Sequence, residues 1–222
     1  MGLKPQFTQF ISQHVKDVAA QVGAPVNSRA SCKPNIEIVF TTTPQDLMDR
    51  VREKRPVLLG YHDNSSQAAA LAKVSYPIQV WYTTATKDLR GKSLLDNALL
   101  QGTGDTGQWE WAAAGVTGLG DGKSSAFYHV IIVVEPDRMK YYEIGTLADY
   151  IAMLALTQMN RLDACQALAS IMNLLASGCD RSASQLTAND LGFLKGLYRM
   201  SIGLNRGTQE DEVIFQMQRD QK

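Results

Sequence analysis

The sequence predicts an α/β (α+β) fold: a mixed, partly parallel sheet with an antiparallel hairpin, flanking helices and a helical C-terminal half. Helical and strand-like segments alternate through residue 86, a pattern typical of sheets that contain parallel pairs. A continuously apolar strand, SAFYHVIIVVE, follows, and the apolar spacing from Glu143 onward is helical. Without a repeat or a linker, we expect one domain, 1–222, with an α/β portion 1–142 and a helical portion 143–222.

The first 86 residues supply three predicted helices and three predicted strands. The helices are PQFTQFISQHVKDVAAQVG, which ends at Gly23, TPQDLMDRVREK, which Thr43 caps, and NSSQAAALAK. The strands are NIEIVFTTT, PVLLGYH and YPIQVWYTTAT. On the first helix the apolar positions predicted to pack are Phe7, Phe10, Ile11, Val15, Val18, Ala19 and Val22.

The middle of the chain has a different composition. Residues 87–125 contain eight glycines, and WEWAAAGV is the one predicted strand there, with GLGDGKSS as a hairpin loop before the long strand. EPDR after that strand is a predicted polar turn. Four helices follow at 143–158, about 163–176, 187–199 and 208–220, and we expect Thr187 and Thr208 to cap the last two.

Charge and hydropathy exclude several classes of partner. Lys plus Arg and Asp plus Glu both number 22, so no net field attracts nucleic acid. The longest apolar run is well below the ~20 residues of a membrane span. The N-terminus MGLKPQFTQF has no apolar h-region, and the chain as given is therefore expected to carry no signal peptide.

Three cysteines are present, and none forms a CxxC pair or has a histidine nearby in sequence. We therefore predict no metal site and no cofactor. Cys165 and Cys179 flank QALASIMNLLASG, and a disulfide between them would close a loop of about 15 residues. Buried free thiols are an equally good interpretation of the residues alone.

The strongest candidate for acid–base chemistry is His62, which follows a predicted strand and precedes Asp63. Strand ends of this kind often carry functional groups in α/β proteins. A metal-independent hydrolase would use this pair, with Glu135 or Asp149 as an optional further carboxylate. We expect His14 on the surface of the first helix and His129 as a core or sheet-edge residue.

Aromatic residues concentrate around the glycine-rich segment. Trp81, Tyr82, Trp109 and Trp111 are candidates to line a ligand-binding groove. Core packing is the alternative role for each of them.

The helix EIGTLADYIAMLALTQ follows the long strand, where the order of elements resembles the zincin-like metallopeptidase layout. In that fold the helix carries H-E-x-x-H, because positions i and i+4 share a face that binds Zn²⁺. The matching positions here are Ala148 and Ala152, which have no metal-binding atoms, and Asp149 stands where the general base would be. We predict a structural hydrogen-bonding role for Asp149.

Several stretches also resemble a group of bacterial exported proteins of unassigned function, distantly zincin-like. They are CKPNIEIVFTTTPQDLMDRV, LGYHD, PIQVWYTTA, LADYIAMLALTQ, SIMNLLA and LTANDLGFLKGLY. The resemblance implies a periplasmic or secreted location, with the cytoplasm as the alternative. It thereby favours the disulfide between Cys165 and Cys179.

These observations favour a non-catalytic exported protein, a degenerate zincin-like pseudoenzyme that binds a peptide, protein or small ligand. The hydrolase using His62 and Asp63 is one alternative. A structural subunit of a cell-envelope assembly is the other.

Overall fold

A computed structural model describes residues 4–27, 29, 31–87, 93–95, 124–159, 161–200 and 206–219. The helices are α1 (Pro5–Val22), α2 (Pro44–Lys54), α3 (Ser65–Leu71), α4 (Pro136–Met139), α5 (Ile144–Leu156), α6 (Ala188–Arg199) and α7 (Arg206–Arg219). The strands are β1 (Ile36–Phe40), β2 (Ile78–Lys87), β3 (Ser93–Leu95) and β4 (Ser124–Val134).

The chain divides into two units, which we describe separately. The helical unit holds the described residues of Met1–Lys33, Pro136–Ser201 and Arg206–Lys222. The sheet unit holds those of Pro34–Glu135. Helix α1, predicted as part of the α/β portion, belongs to the helical unit because its apolar face packs on α5.

The predicted mixed sheet is confirmed. Its strand order is β1-β4-β2-β3, with β4 parallel to β1 and antiparallel to β2, and β2 antiparallel to β3. The apolar strand β4 lies between β1 and β2, and its residues Val130–Val134 are therefore buried. Strand β3 has no counterpart among the predicted strands, and WEWAAAGV and the glycine-rich loop before β4 lie outside the described residues.

One face of the sheet is covered by α2, α3 and a turn of 3₁₀ helix at Pro56–Leu59. The core between these layers contains Met48, Leu59, Ala68, Ala72, Trp81, Ile131 and Val133. Asn64 caps α3 by accepting a hydrogen bond from the Gln67 backbone N–H. Thr43 stands at the N-cap of α2, but its side chain makes no capping bond, contrary to expectation.

The predicted strand PVLLGYH is wrong, because Pro56–Leu59 forms the 3₁₀ turn. A short apolar run does not distinguish a buried strand from a buried helical turn. Gly60 follows with φ +97°, and a Cβ there would lie 2.7 Å from the Tyr82 backbone oxygen. The chain therefore passes too close to β2 at this point for any residue but glycine.

In the helical unit, α1 buries Ile11, Val15, Val18, Ala19 and Val22, as predicted, and Gly23 ends the helix in the left-handed conformation. Phe7 and Phe10 share the pattern but are 36% and 44% exposed, so the apolar stripe continues beyond the contact with α5. The EPDR segment is the short helix α4 rather than a simple turn. Helix α7 begins at Arg206, two residues before the predicted cap at Thr208.

The predicted helix at 163–176 is wrong. The segment is an irregular loop with one 3₁₀ turn, Ile171–Leu174, closed by a disulfide between Cys165 and Cys179 whose Cα atoms are 5.6 Å apart. The buried Asn173 side chain donates to the carbonyls of Gln166, Leu168 and Arg181, and accepts from the Gln166 N–H. Side chains thus satisfy backbone groups that a helix would have paired internally.

Asp190 attaches this loop to α6. Its carboxylate accepts hydrogen bonds from Ser170 Oγ at 2.5 Å and from the Ile171 and Thr187 backbone N–H groups at 2.9 Å each. Thr187 in turn accepts from the Asp190 N–H, which completes the predicted capping box. One carboxylate therefore starts α6 and holds the disulfide loop.

Candidate functional site

Asp149 is the charged residue of α5, a helix in which every residue from Thr146 to Leu156 is buried. Its Oδ1 accepts a hydrogen bond from His14 Nε2 at 2.5 Å, and its Oδ2 accepts one from the Leu186 N–H at 3.1 Å. A buried carboxylate needs such partners to offset its desolvation. Asp149 therefore joins α1, α5 and the segment before α6.

His14, predicted to lie at the surface, instead meets Asp149 in the structure. Its side chain is 30% exposed, and its ring stacks on Phe10 with centroids 6.0 Å apart. His14 lies between Ile11 and Val15 on α1, so its position beside the buried apolar stripe already indicated that its side chain would be partly buried. No local pattern indicates which carboxylate it would meet.

Ala148 and Ala152, matched by sequence to the zinc-ligand positions of the zincin-like layout, carry no metal-binding atoms. Ala148 and Ala152 are both fully buried within the helical unit. Across the described part of the chain, no group of three or more His, Cys, Asp or Glu side chains is arranged to hold a metal ion.

His62 and Asp63 do not form a pair. The His62 ring is fully buried, and its Nδ1 donates to the Gly60 carbonyl at 2.8 Å. Its Nε2 is buried with no hydrogen-bond partner among the described residues. The Asp63 carboxylate instead accepts a hydrogen bond from Tyr61, and that bond, the negative charge and slight desolvation raise the pKa of the Tyr61 phenol. The hydrolase alternative gains no support from this geometry.

The aromatic candidates divide between the two faces of the sheet. Trp81 is buried under α3, where its indole N–H donates to the Leu71 carbonyl at 2.7 Å. Tyr82 points to the opposite face, is half-buried and stacks on Phe127 with centroids 5.4 Å apart. Trp109 and Trp111 lie outside the described residues.

Strand β1 forms one edge of the sheet. Val130 N donates to Asn35 O at 2.7 Å and Thr41 N donates to Val134 O at 3.0 Å. Odd-numbered residues of β1 therefore direct their backbone groups toward β4, and the N–H and C=O of even-numbered residues point away from the sheet. Of the strands that the structure describes, none pairs with this outer edge.

Glu37 is the charged side chain of this edge strand. In the register it lies beside Ile131, on the face covered by α2 and α3. Its side chain is 50% exposed, and its Oε1 lies 3.7 Å from Nε2 of His129, a side chain that is 12% exposed. This separation exceeds a hydrogen bond, and His129 Nε2 makes none within the part of the chain that is described. Within the described residues, the Glu37 carboxylate accepts no hydrogen bond.

The disulfide loop encloses a shallow depression of about 340 Å³. Its lining includes Arg181 and Asn173, both of which already bond to backbone carbonyls of the loop, Arg181 to Ala167 O. The predicted disulfide between Cys165 and Cys179 is confirmed. The polar side chains of Asn173 and Arg181 beside it bond to backbone carbonyls of the same loop.

None of the described helices combines the length and the apolar character needed to cross a membrane. Comparison with protein-family models, with curated proteins and with solved structures gave no significant match.

Proposed function

We propose that this protein is a non-catalytic, exported binding protein whose ligand is an extended peptide segment. The peptide adds as a further strand along the outer edge of β1. The zincin-like layout without zinc ligands and the bacterial origin are part of the same proposal, and they rest on the sequence resemblance.

The observation that carries this proposal is the outer edge of β1, with which no strand in the described part of the chain pairs. Ile36, Ile38 and Phe40 each direct one N–H and one C=O away from β4. An unpaired edge is a template for another strand, and main-chain hydrogen bonds then supply the affinity. β1 itself has no proline or lysine, two residues that commonly block such pairing.

A non-catalytic role is supported by what the candidate acid–base groups already do. Asp149 bonds His14 and a backbone N–H, and the Asp63 carboxylate bonds Tyr61. His62 is buried against the Gly60 carbonyl. A general base must reach a substrate proton, but the His62 ring is fully buried and the Asp149 carboxylate is held between His14 and the Leu186 N–H.

Export to the periplasm is supported by the disulfide between Cys165 and Cys179. Such bonds persist in oxidising compartments and are rare in the cytosol. The sequence resemblance to exported proteins agrees with this location.

The edge itself can be tested by hydrogen exchange measured by NMR on the full chain. We expect the amides of Ile36, Ile38 and Phe40 to exchange fast, and those of Glu37 and Val39, which donate to β4, to be protected. Equal protection of all five amides would mean that the outer edge is already paired.

Binding can be tested with a phage-displayed library of random heptapeptides. Selected peptides should bind the wild-type protein and Ile38→Ala, and should lose binding to Ile38→Pro. The proline removes an outward N–H that β4 does not use, and the alanine variant controls for the missing isoleucine side chain. Both variants need circular dichroism spectra like that of the wild type.

The proposal fails if no peptide is enriched, or if enriched peptides bind Ile38→Pro as well as Ile38→Ala. It also fails if protein purified without chelator holds stoichiometric zinc and cleaves peptides in a chelator-sensitive reaction. The zinc-dependent cleavage would replace the non-catalytic proposal with a metallopeptidase.

A further inference from the structure

We infer that the edge of β1 selects a strand with the pattern apolar–basic–apolar, with the lysine or arginine opposite Glu37. This inference rests on the proposed peptide binding and adds the chemical class of the peptide. It follows from which side chains of β1 lie on each face of the sheet.

A strand added to β1 continues both faces of the sheet. Side chains directly opposite each other on neighbouring strands share a face, with Cβ atoms about 4.5–5.5 Å apart. The peptide residue opposite Glu37 therefore lies on the face of Glu37, and its two neighbours lie on the other face, beside Ile36 and Ile38.

The charge of Glu37 determines the first preference. Its side chain is 50% exposed, and His129, the one described basic group within 4 Å of the carboxylate, is beyond hydrogen-bond distance at 3.7 Å. A lysine or arginine on the added strand would reach the carboxylate from the open side. A glutamate there would meet a like charge directly opposite, which is destabilising in a sheet.

The opposite face determines the second preference. Ile36, Ile38 and Phe40 are all half-buried, so each keeps some apolar surface at the edge. Apolar side chains on the added strand would cover this surface, and polar ones would leave it in water.

Glu37 also makes a second copy of this chain a poor occupant. If two β1 strands pair antiparallel with Glu37 opposite Glu37, like charges meet. If they pair about Ile38, each glutamate lies opposite Val39, and the two glutamates become diagonal neighbours, residues about 7–8 Å apart on one face. Neither register offers a basic partner, so charge complementarity favours a different polypeptide.

The test uses two soluble hexapeptides of alternating valine and threonine that differ at one central position, lysine in one and glutamate in the other. Each is titrated into ¹⁵N-labelled full-length protein at low salt. We expect the amide signals of Ile36, Ile38 and Phe40 to shift, with the lysine peptide binding about five- to twentyfold more tightly.

Two variants of the same residue provide the controls. Glu37→Gln should bring the two affinities within about twofold, and Glu37→Lys should reverse the preference. The preference of the wild type should also shrink at 1 M NaCl, where the screening length falls to about 3 Å. Both variants replace a half-exposed side chain, and unchanged β-sheet signals would show that they fold.

The outcomes separate this inference from the proposed function. If both peptides shift the edge amides with equal affinity, strand addition stands and the basic preference is wrong. If neither peptide shifts them at millimolar concentration, both ideas are wrong. If light scattering shows that the protein dimerises and that Ile38→Pro makes it monomeric, the occupant is a second copy and the inference is overturned.

Discussion

The two units of this protein treat their polar groups differently. In the helical unit the buried Asp149, Asn173 and Asp190 side chains all have hydrogen-bond partners that tie separate segments together. In the sheet unit, within the described residues, the buried Nε2 atoms of His62 and His129 have no such partner and no strand pairs with the outer edge of β1. These buried carboxylates and the amide therefore cross-link segments of the helical unit, whereas bonding capacity remains at these two histidine atoms of the sheet unit.

The largest effect should come from Asp190→Ala. The change leaves the buried Ile171 N–H and the partly buried Thr187 N–H without this acceptor, and it releases Ser170 Oγ. We expect the free energy of unfolding to fall by about 3–5 kcal/mol, measured by urea denaturation with circular dichroism. Asp211→Ala, at an exposed position on α7, is the matched control and should change it by less than about 0.5 kcal/mol. Similar losses in both variants would show that the Asp190 network does not stabilise the unit.

Removing the disulfide should have the next largest effect. The bond joins residues 14 positions apart, and closing such a loop contributes about 3 kcal/mol in the chain-entropy model. We therefore expect Cys165→Ser with Cys179→Ser to lower the free energy of unfolding by about 2–4 kcal/mol. Cys32→Ser, at an exposed free cysteine, should leave it unchanged. An unchanged melting temperature in the double variant would contradict a stabilising role for this bond.

Alkaline pH offers a test of the α5–α6 contact. The Tyr198 hydroxyl donates to the Leu156 carbonyl at 2.9 Å, and burial raises the pKa of Tyr198 from 10.0 to about 12. The folded state holds this proton more tightly than the unfolded chain does. The raised pKa therefore contributes to the free energy of unfolding, on the order of 2 kcal/mol. This contribution is fully present below pH 10 and is lost as pH rises from 10 to 12.

Tyr198→Phe isolates this effect from the other groups that titrate at high pH. The variant should be less stable than the wild type at pH 7, by about 1 kcal/mol for the lost hydrogen bond. This difference in the free energy of unfolding between the variant and the wild type should narrow or change sign by pH 12. A constant difference across this range would mean that Tyr198 ionises equally in both states.

The last prediction compares alanine substitutions at two glycines of the helical unit, and the smallest expected change in stability is that at Gly145. A Cβ at Gly196 would lie 2.7 Å from the Val213 Cα of α7, whereas one at Gly145 on α5 would meet nothing within 4 Å. We expect Gly196→Ala to destabilise by about 1–3 kcal/mol through overpacking, and Gly145→Ala to stabilise by about 0.5–1 kcal/mol through helix propensity. Thermal melts of the two variants should shift in opposite directions. Shifts in the same direction would indicate that α7 moves away from α6 at little cost.

Elements whose signals are local could be predicted from the sequence. The stripe of α1, the central strand β4 and the capping box of Thr187 with Asp190 all follow from spacing and caps within a few residues. The predictions for the apolar run at 56–59 and for the segment at 163–176 are wrong. The first run leads into the close approach of Gly60 to the β2 backbone, and in the second the side-chain amide of Asn173 replaces the bonds of a regular helix.

Composition and spacing were enough to specify the mixed α/β class, the candidate cysteine pair and the lack of zinc ligands at Ala148 and Ala152. Three further facts came from the packing of the chain: His14 meets Asp149, His62 and Asp63 face different partners, and β1 lies at an edge. The physical reason is separation along the chain. His14 and Asp149 are 135 residues apart, and no periodicity or cap encodes which distant strand or carboxylate a segment will meet.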